Sequence, residues 1–120
     1  MSGVLKQPRR PRRGDVWWVD LDPVRGHEQA GTRPVVVVSA DGFDTRRWGM
    51  ALVCPITRRA RPNRLHVTID PPEGGLRTTS FVLCEQVRAV SIERFEDHSG
   101  MVSLRSLSLI LDTLRELFDL

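Results

Sequence analysis

Eight consecutive positions bring together most of the side chains that could do acid–base or anion chemistry. They are Gly26-His27-Glu28-Gln29-Ala30-Gly31-Thr32-Arg33, closed by Pro34. A titratable imidazole, a carboxylate, an amide, a hydroxyl and a guanidinium stand close together in sequence. The glycines let backbone approach a ligand closely. Arg33 offers a fork of donors that matches two phosphoryl oxygens at once. His27 has the ordinary pKa best placed for moving a proton near neutrality.

Three further groups could join it. Thr57-Arg58-Arg59-Ala60-Arg61-Pro62-Asn63-Arg64 puts Arg58, Arg59, Arg61 and Arg64 directly after an apolar run. Facing a groove, they would track a phosphate backbone; facing outward, they would be a solvated hairpin tip. Thr57 ends that run, where its hydroxyl could reach a phosphoryl oxygen. Cys84-Glu85-Gln86 places a carboxylate among apolar neighbours, where it needs a partner; Arg33 is the candidate. Trp17 and Trp18 are adjacent, so on a strand they point to opposite faces. One belongs to the core. The other packs on the last helix, the favoured reading, or stacks on a base.

These residues need a scaffold, and the apolar pattern supplies one. Asp15–Leu21 reads as a strand stopped by Asp22-Pro23. Residues 24–33 form a polar loop. Pro34–Ser39 is an apolar, β-branched run, the pattern of a strand buried on both faces. Between Asp41 and Gly49 there is room for one helical turn, with Asp41 as N-cap. Met50–Thr57 is a strand whose pairing Pro55 limits. Leu65–Ile69 alternates as a half-buried strand. Pro71–Gly75 is a turn, and the stretches 80–85 and 86–92 make two strands or one bent one. Leu104, Leu107, Leu111, Leu114 and Phe118 draw one apolar stripe on a helix capped by Ser103, widened by Leu109, Ile110 and Leu117. Such a helix closes the end of a barrel or meets a second subunit. Five or six short strands and one C-terminal helix predict a mainly β fold: a small, strongly bent antiparallel sheet or partly open barrel.

Composition narrows the class. The chain has 120 residues, enough for one domain, and a net charge of +3. Every cation except Lys6 is an arginine. Residues 1–13 are a Pro- and Arg-rich arm without periodicity, read as disordered or as a tether for a polyanion; the folded domain is expected over 14–120. Val35–Val38 is far shorter than the roughly 18 residues of a spanning helix, and the N-terminus has no secretory h-region. Cys54 and Cys84 form no CxxC pair and no zinc spacing with His27, His66 or His98, so no metal or cofactor is expected. Two small buried hydrophobes in a reducing cytoplasm are the reading for the thiols.

The blocks GDVWWVDLDPVRGHEQAGTRPVVVVS, CPIT and GLRTTSFVLCEQVRAV together resemble the MazF/PemK (Kid) family of toxin endoribonucleases, from about Arg13 to Ser91 and in order. The resemblance implies an SH3-like barrel shared with CcdB, usually a homodimer. It implies metal-independent cleavage of single-stranded mRNA at a short sequence, and neutralisation by a cognate MazE-like antitoxin. By position it makes Arg33 and Thr57 the catalytic pair, with Glu28 and Gln29 matching the EQ of the loop and His27 matching the PemK branch. In that branch an Arg precedes the Cys-acid pair; here the position is Leu83 and the acid is Glu85. That departure favours Arg33 and Thr57, with Glu85 orienting another group.

The chemistry so implied is attack of a ribose 2′-hydroxyl on the adjacent phosphorus, giving a 2′,3′-cyclic phosphate and a 5′-hydroxyl. Arg33, Thr57 and loop N–H groups would stabilise the phosphorane. Glu28 or His27 would take the 2′ proton; the sequence leaves both open. Gln29, Thr32, Arg58, Arg59, Arg61, Arg64, Glu85, Gln86 and Trp18 are the candidate RNA contacts. Two other classes share the fold: a CcdB-like poison that binds gyrase, and an inactive relative that only binds RNA or antitoxin.

Overall fold

The computed structural model describes residues 10–21, 31–41, 43 and 45–120. Seven strands form one antiparallel sheet, and a C-terminal helix lies against it. In chain order they are β1 (Asp15–Asp20), β2 (Thr32–Val37), a short helix α1 (Thr45–Trp48), β3 (Met50–Thr57), β4 (His66–Ile69), β5 (Ser80–Leu83), β6 (Arg88–Ser91), β7 (Phe95–Met101) and α2 (Leu104–Phe118). The sheet order is β4-β5-β3-β2-β1-β7, with β6 also on β3.

β3 is the strand on which the fold turns. Its first half, Met50–Val53, pairs with β6, and its end, Ile56–Thr57, pairs with β5. On its other edge Val35, Val36 and Val37 of β2 meet Pro55, Cys54 and Val53. Pro55 therefore sits inside a paired strand. It has no N–H to give to a ladder, and it falls where β3 passes from β6 to β5.

The valine run Val35–Val38 is buried on both faces, as its unbroken apolar pattern predicts. Val16, Val36, Cys54 and Ile56 face one core, shared with Val67, Ile69 and Val82 and closed by Ile110 and Leu114 of α2. Trp17, Val19, Val35, Val37 and Val53 face a second core, with Leu21, Ala51 and Val90.

Four expectations are corrected. β2 begins at Thr32, so Thr32 and Arg33 belong to a strand. α1 starts beyond Asp41, whose Oδ1 instead accepts the Arg13 N–H at 2.9 Å. β7, Phe95-Glu-Asp-His-Ser-Gly-Met101, has no apolar alternation and was not anticipated; it joins the sheet by pairing with β1. The helix stripe is rotated: Ser106, Ile110 and Leu114 are buried, Leu107 and Leu111 are packed against the core, and Leu104 and Phe118 are exposed. Ser103 does cap α2, its hydroxyl accepting the Ser106 N–H at 3.0 Å.

The 3-10 turn Glu73–Gly75 packs tightly on β7. A Cβ on Gly75 would lie 2.1 Å from the Ser99 carbonyl oxygen, so only glycine fits there. The Glu73 carboxylate reaches across to α2, where Oε2 accepts the Ser103 N–H at 2.8 Å. Burial pushes the Glu73 carboxyl up, but hydrogen bonds from the Ser106 and Ser103 side chains and the Ser103 backbone outweigh it and hold the group below its ordinary value.

Candidate active site

The start of β2 and the end of β3 carry Arg33 and Thr57, the pair that the resemblance makes catalytic. The β2–β3 register runs Val37–Val53, Val36–Cys54, Val35–Pro55. Continued by one period of side-chain alternation, it sets Arg33 opposite Thr57 on a single face. Both line one open cleft of about 890 Å³. Thr57 Oγ1 accepts the Arg59 N–H at 3.2 Å, which orients the hydroxyl and leaves its proton to donate.

The cleft has two lobes that share Arg33, Thr57, Arg58 and Thr78. One lobe adds Arg59, Arg61, Asn63, His66, Glu85 and Gln86. The other, about 620 Å³, adds Trp18, Thr32, Pro34, Ile56, Leu76 and Arg77. Three of the loop arginines, Arg58, Arg59 and Arg61, thus bring positive charge to the cleft wall. That is the electrostatic setting a phosphodiester backbone requires.

Other predicted residues fall as follows. Trp17 is buried, while Trp18 lines the second lobe and is 38 % exposed, so it opens on the cleft and not onto the last helix. Gln86 and Thr32 line the first and second lobe respectively. Arg64 is directed elsewhere: its guanidinium pairs with Glu116 of α2, which ties the basic loop to the helix. His27, Glu28 and Gln29 lie outside the described residues. The described residues on either side of that segment are joined, the Leu21 N–H donating to the Gly31 carbonyl at 2.9 Å. Gly31 has φ +77°, the left-handed region that favours glycine, and a Cβ there would touch nothing within 4 Å.

Glu85 finds a partner that the sequence did not suggest. His66 Nε2 lies 3.0 Å from Glu85 Oε2, and the imidazole is almost wholly buried. The signal was present in β4: Val67 and Ile69 face the core, so His66 and Thr68 face the other way. Arg77, Thr78 and Thr79, also unforeseen, come from the segment before β5, which folds back over the cleft.

Cys54 and Cys84 are both free and buried beneath this floor. The hydrogen bond from Cys84 and then burial push the Cys54 thiol up, which keeps it protonated and inert. Among the described residues no three His, Cys, Asp or Glu side chains cluster to hold a metal ion, and no helix is long and apolar enough to cross a membrane.

The antiparallel sheet thus presents Arg33 and Thr57 together in an arginine-lined cleft. The family of PemK-like, MazF-like toxins of type II toxin–antitoxin systems matches residues 12–118, and the chain belongs to it. It is 40 % identical over 93 residues to endoribonuclease PemK of Escherichia coli, covering 75 % of this chain and 68 % of that one. It is 34 % identical over 114 residues to endoribonuclease MazF9 of Mycobacterium tuberculosis, covering 91 % and 97 %. Among solved structures, MazF of Deinococcus radiodurans superposes with a TM-score of 0.79 at 26 % identity, over 92 % of this chain and 97 % of that one.

Proposed function

We propose that this chain is the RNA-cleaving toxin of a type II pair, and that it cuts single-stranded mRNA at the Arg33–Thr57 step of the cleft. The observation that carries the reading is the convergence of Arg33, Thr57 and three loop arginines on one concave surface.

The reaction balances without a cofactor. A base takes the proton of the ribose 2′-hydroxyl, and the freed oxygen bonds to the adjacent phosphorus. The P–O5′ bond then breaks, and the leaving oxygen takes up a proton. The products are a 2′,3′-cyclic phosphate and a 5′-hydroxyl. Negative charge grows on the non-bridging oxygens along the way. Arg33 meets that charge with two N–H donors and the Thr57 hydroxyl with one. Arginine holds its proton too tightly to act as base, so that role falls to His27 or Glu28. Arg58, Arg59 and Arg61 would hold flanking phosphates, and Gln29, Thr32, Gln86 and Trp18 would meet bases or sugars.

The family's toxin–antitoxin membership implies a protein antitoxin. An acidic or extended antitoxin segment in the same cleft would exclude RNA. A second copy of this chain is the other partner. Trp48, Met50 and Leu52 around the start of β3, and Leu104, Phe118 and Leu120 along α2, are exposed apolar groups that pairing would cover. Where mRNA is the substrate, the cytoplasm is the compartment.

The test is purified full-length protein on a long single-stranded RNA in EDTA, with the ends mapped. Discrete cuts ending in 2′,3′-cyclic phosphate are the expected result. Intact RNA, with Arg33→Ala and wild type equally toxic in cells, defeats the reading and favours a gyrase-type binding poison.

A further inference from the structure

The two lobes are chemically unlike, and they meet at the reacting pair. On one side of Arg33 and Thr57 lie Trp18, Pro34, Ile56 and Leu76. On the other lie Asn63, His66, Glu85 and Gln86.

Trp18 stands out within β1. Its neighbours Trp17 and Val19 are buried, yet 38 % of Trp18 is exposed, on an apolar bed of Pro34 and Leu76. An indole face presented this way attracts the π face of any base. It offers no pattern of donors and acceptors by which to tell bases apart.

The opposite lobe is built to discriminate. His66 is rigid because it is buried, and its Nε2 grips Glu85 Oε2 at 3.0 Å. Glu85 lines the cleft with 29 % of its side chain exposed; Oε1 is buried without a donor, so the capacity left for an arriving donor is the second lone pair of Oε2 beside His66. An ionised carboxylate can only accept. Set among Arg33, Arg58, Arg59 and Arg61, it is poorly suited to phosphate and well suited to a base amino group. Adenine, cytosine and guanine carry an exocyclic amino group, and uracil carries none. Unstacked bases in single-stranded RNA are read on these edges.

We infer that the cleft reads RNA asymmetrically about the scissile phosphate. The Trp18 lobe takes the adjoining base by stacking, whatever its identity. Glu85, with His66 as its positioning residue, selects an amino-bearing base on the other side. The inference rests on the RNA-cleaving reading above.

The experiment uses the full chain and a short RNA spanning one mapped cut. At each position flanking the cut, the base is removed to leave an abasic ribose or exchanged among the four bases. On one flank, removal costs on the order of ten- to a hundredfold in kcat/KM while exchange changes it little. On the other, exchange of the amino-bearing base for uracil costs on the order of tenfold. Trp18→Leu cuts the parent RNA as slowly as wild type cuts the abasic one, and the two losses do not multiply; Trp18→Phe keeps most of the activity. Glu85→Gln, which brings an amide donor, shifts preference toward uracil. His66→Leu blurs the preference, and His66→Gln, which retains an N–H donor, restores it. Losses from Trp18→Leu and base removal that multiply, or a Glu85→Gln loss equal for all four bases, overturn the asymmetry. RNA left uncut by wild type overturns the underlying reading instead.

Discussion

Among the described residues two histidine–carboxylate pairs stand in opposite surroundings. His66 and Glu85 meet at the edge of the cleft, with Glu85 partly exposed among arginines. His98 of β7 and Asp15 of β1 face each other at 3.4 Å, and Asp15 is sealed at 1 % exposure. Asp15 Oδ2 accepts the Arg12 N–H at 2.9 Å and the Trp17 indole N–H at 3.4 Å, and the Trp17 ring stands edge-on to His98 at 5.3 Å. Asp15 thus fastens the start of the domain to β1 through Oδ2, with Oδ1 beside His98 of β7. The outer pair lines the cleft. The same two functional groups are therefore sealed inside the fold in one place and set at the cleft in the other, which is where the recognition proposed above would act.

Substitutions can break that contrast or sharpen it. Arg33→Ala should have the largest effect. RNA cleavage should fall on the order of 10²–10³-fold, as when one charge-stabilising donor is lost elsewhere. Arg33 is exposed, so the thermal midpoint should stay put; a matching drop in melting temperature would make it a structural residue.

Asp15→Ala should reverse the signature. It leaves the Arg12 and Trp17 N–H groups without their acceptor and should cost about 1–3 kcal/mol. Scanning calorimetry should record a melting temperature lower by ~5–15 °C. Cleavage per folded molecule should be unchanged.

The histidines allow a direct contrast. His66→Leu should lower kcat/KM for RNA severalfold with little change in the urea midpoint, whereas His98→Leu should move the midpoint and leave kcat/KM alone. Equal effects from both would erase the distinction between the pairs.

Glu73→Gln should be the smallest change, and it is a matter of pH. The folded Glu73 carboxyl is held below its ordinary 4.5. Its contribution is therefore present above that value and lost as pH falls through the folded one. Wild-type stability should decline on acidification in this window, and the variant should decline less. Urea midpoints at neutral and acid pH give the comparison.

How far the sequence could be read follows from what each element shows to its pattern. β3 and the buried face of β2 are apolar runs, and they were readable to their ends or nearly so. β7 was not, because Glu96, Asp97 and Ser99 dominate it and its place in the sheet comes from pairing with β1, a contact distant in sequence. The α2 stripe was legible as amphipathic but not in phase, since Leu104 and Phe118, the first and last residues of the helix, are exposed. Arg33 and Thr57 could be picked by type and motif, and the register that faces them across two strands needed the fold. Glu85 was seen to need a partner, yet His66 lies 19 positions away. Only the β4–β5 pairing, which sets His66 against Leu83, brings the two together.

The split allegiance of β3 bears on how such a protein could change its target. Thr57 ends a strand whose other half is already committed to β6 and to both interiors, so it cannot drift without dismantling its neighbours. Beside it, Arg58, Arg59, Arg61, Arg77 and Thr78 stand exposed on the cleft wall, between the Arg64 tie to Glu116 and the buried Leu76. New cutting preferences should therefore arise by rewriting these borders while the chemistry stays anchored, much as a lathe keeps its spindle and changes its jaws.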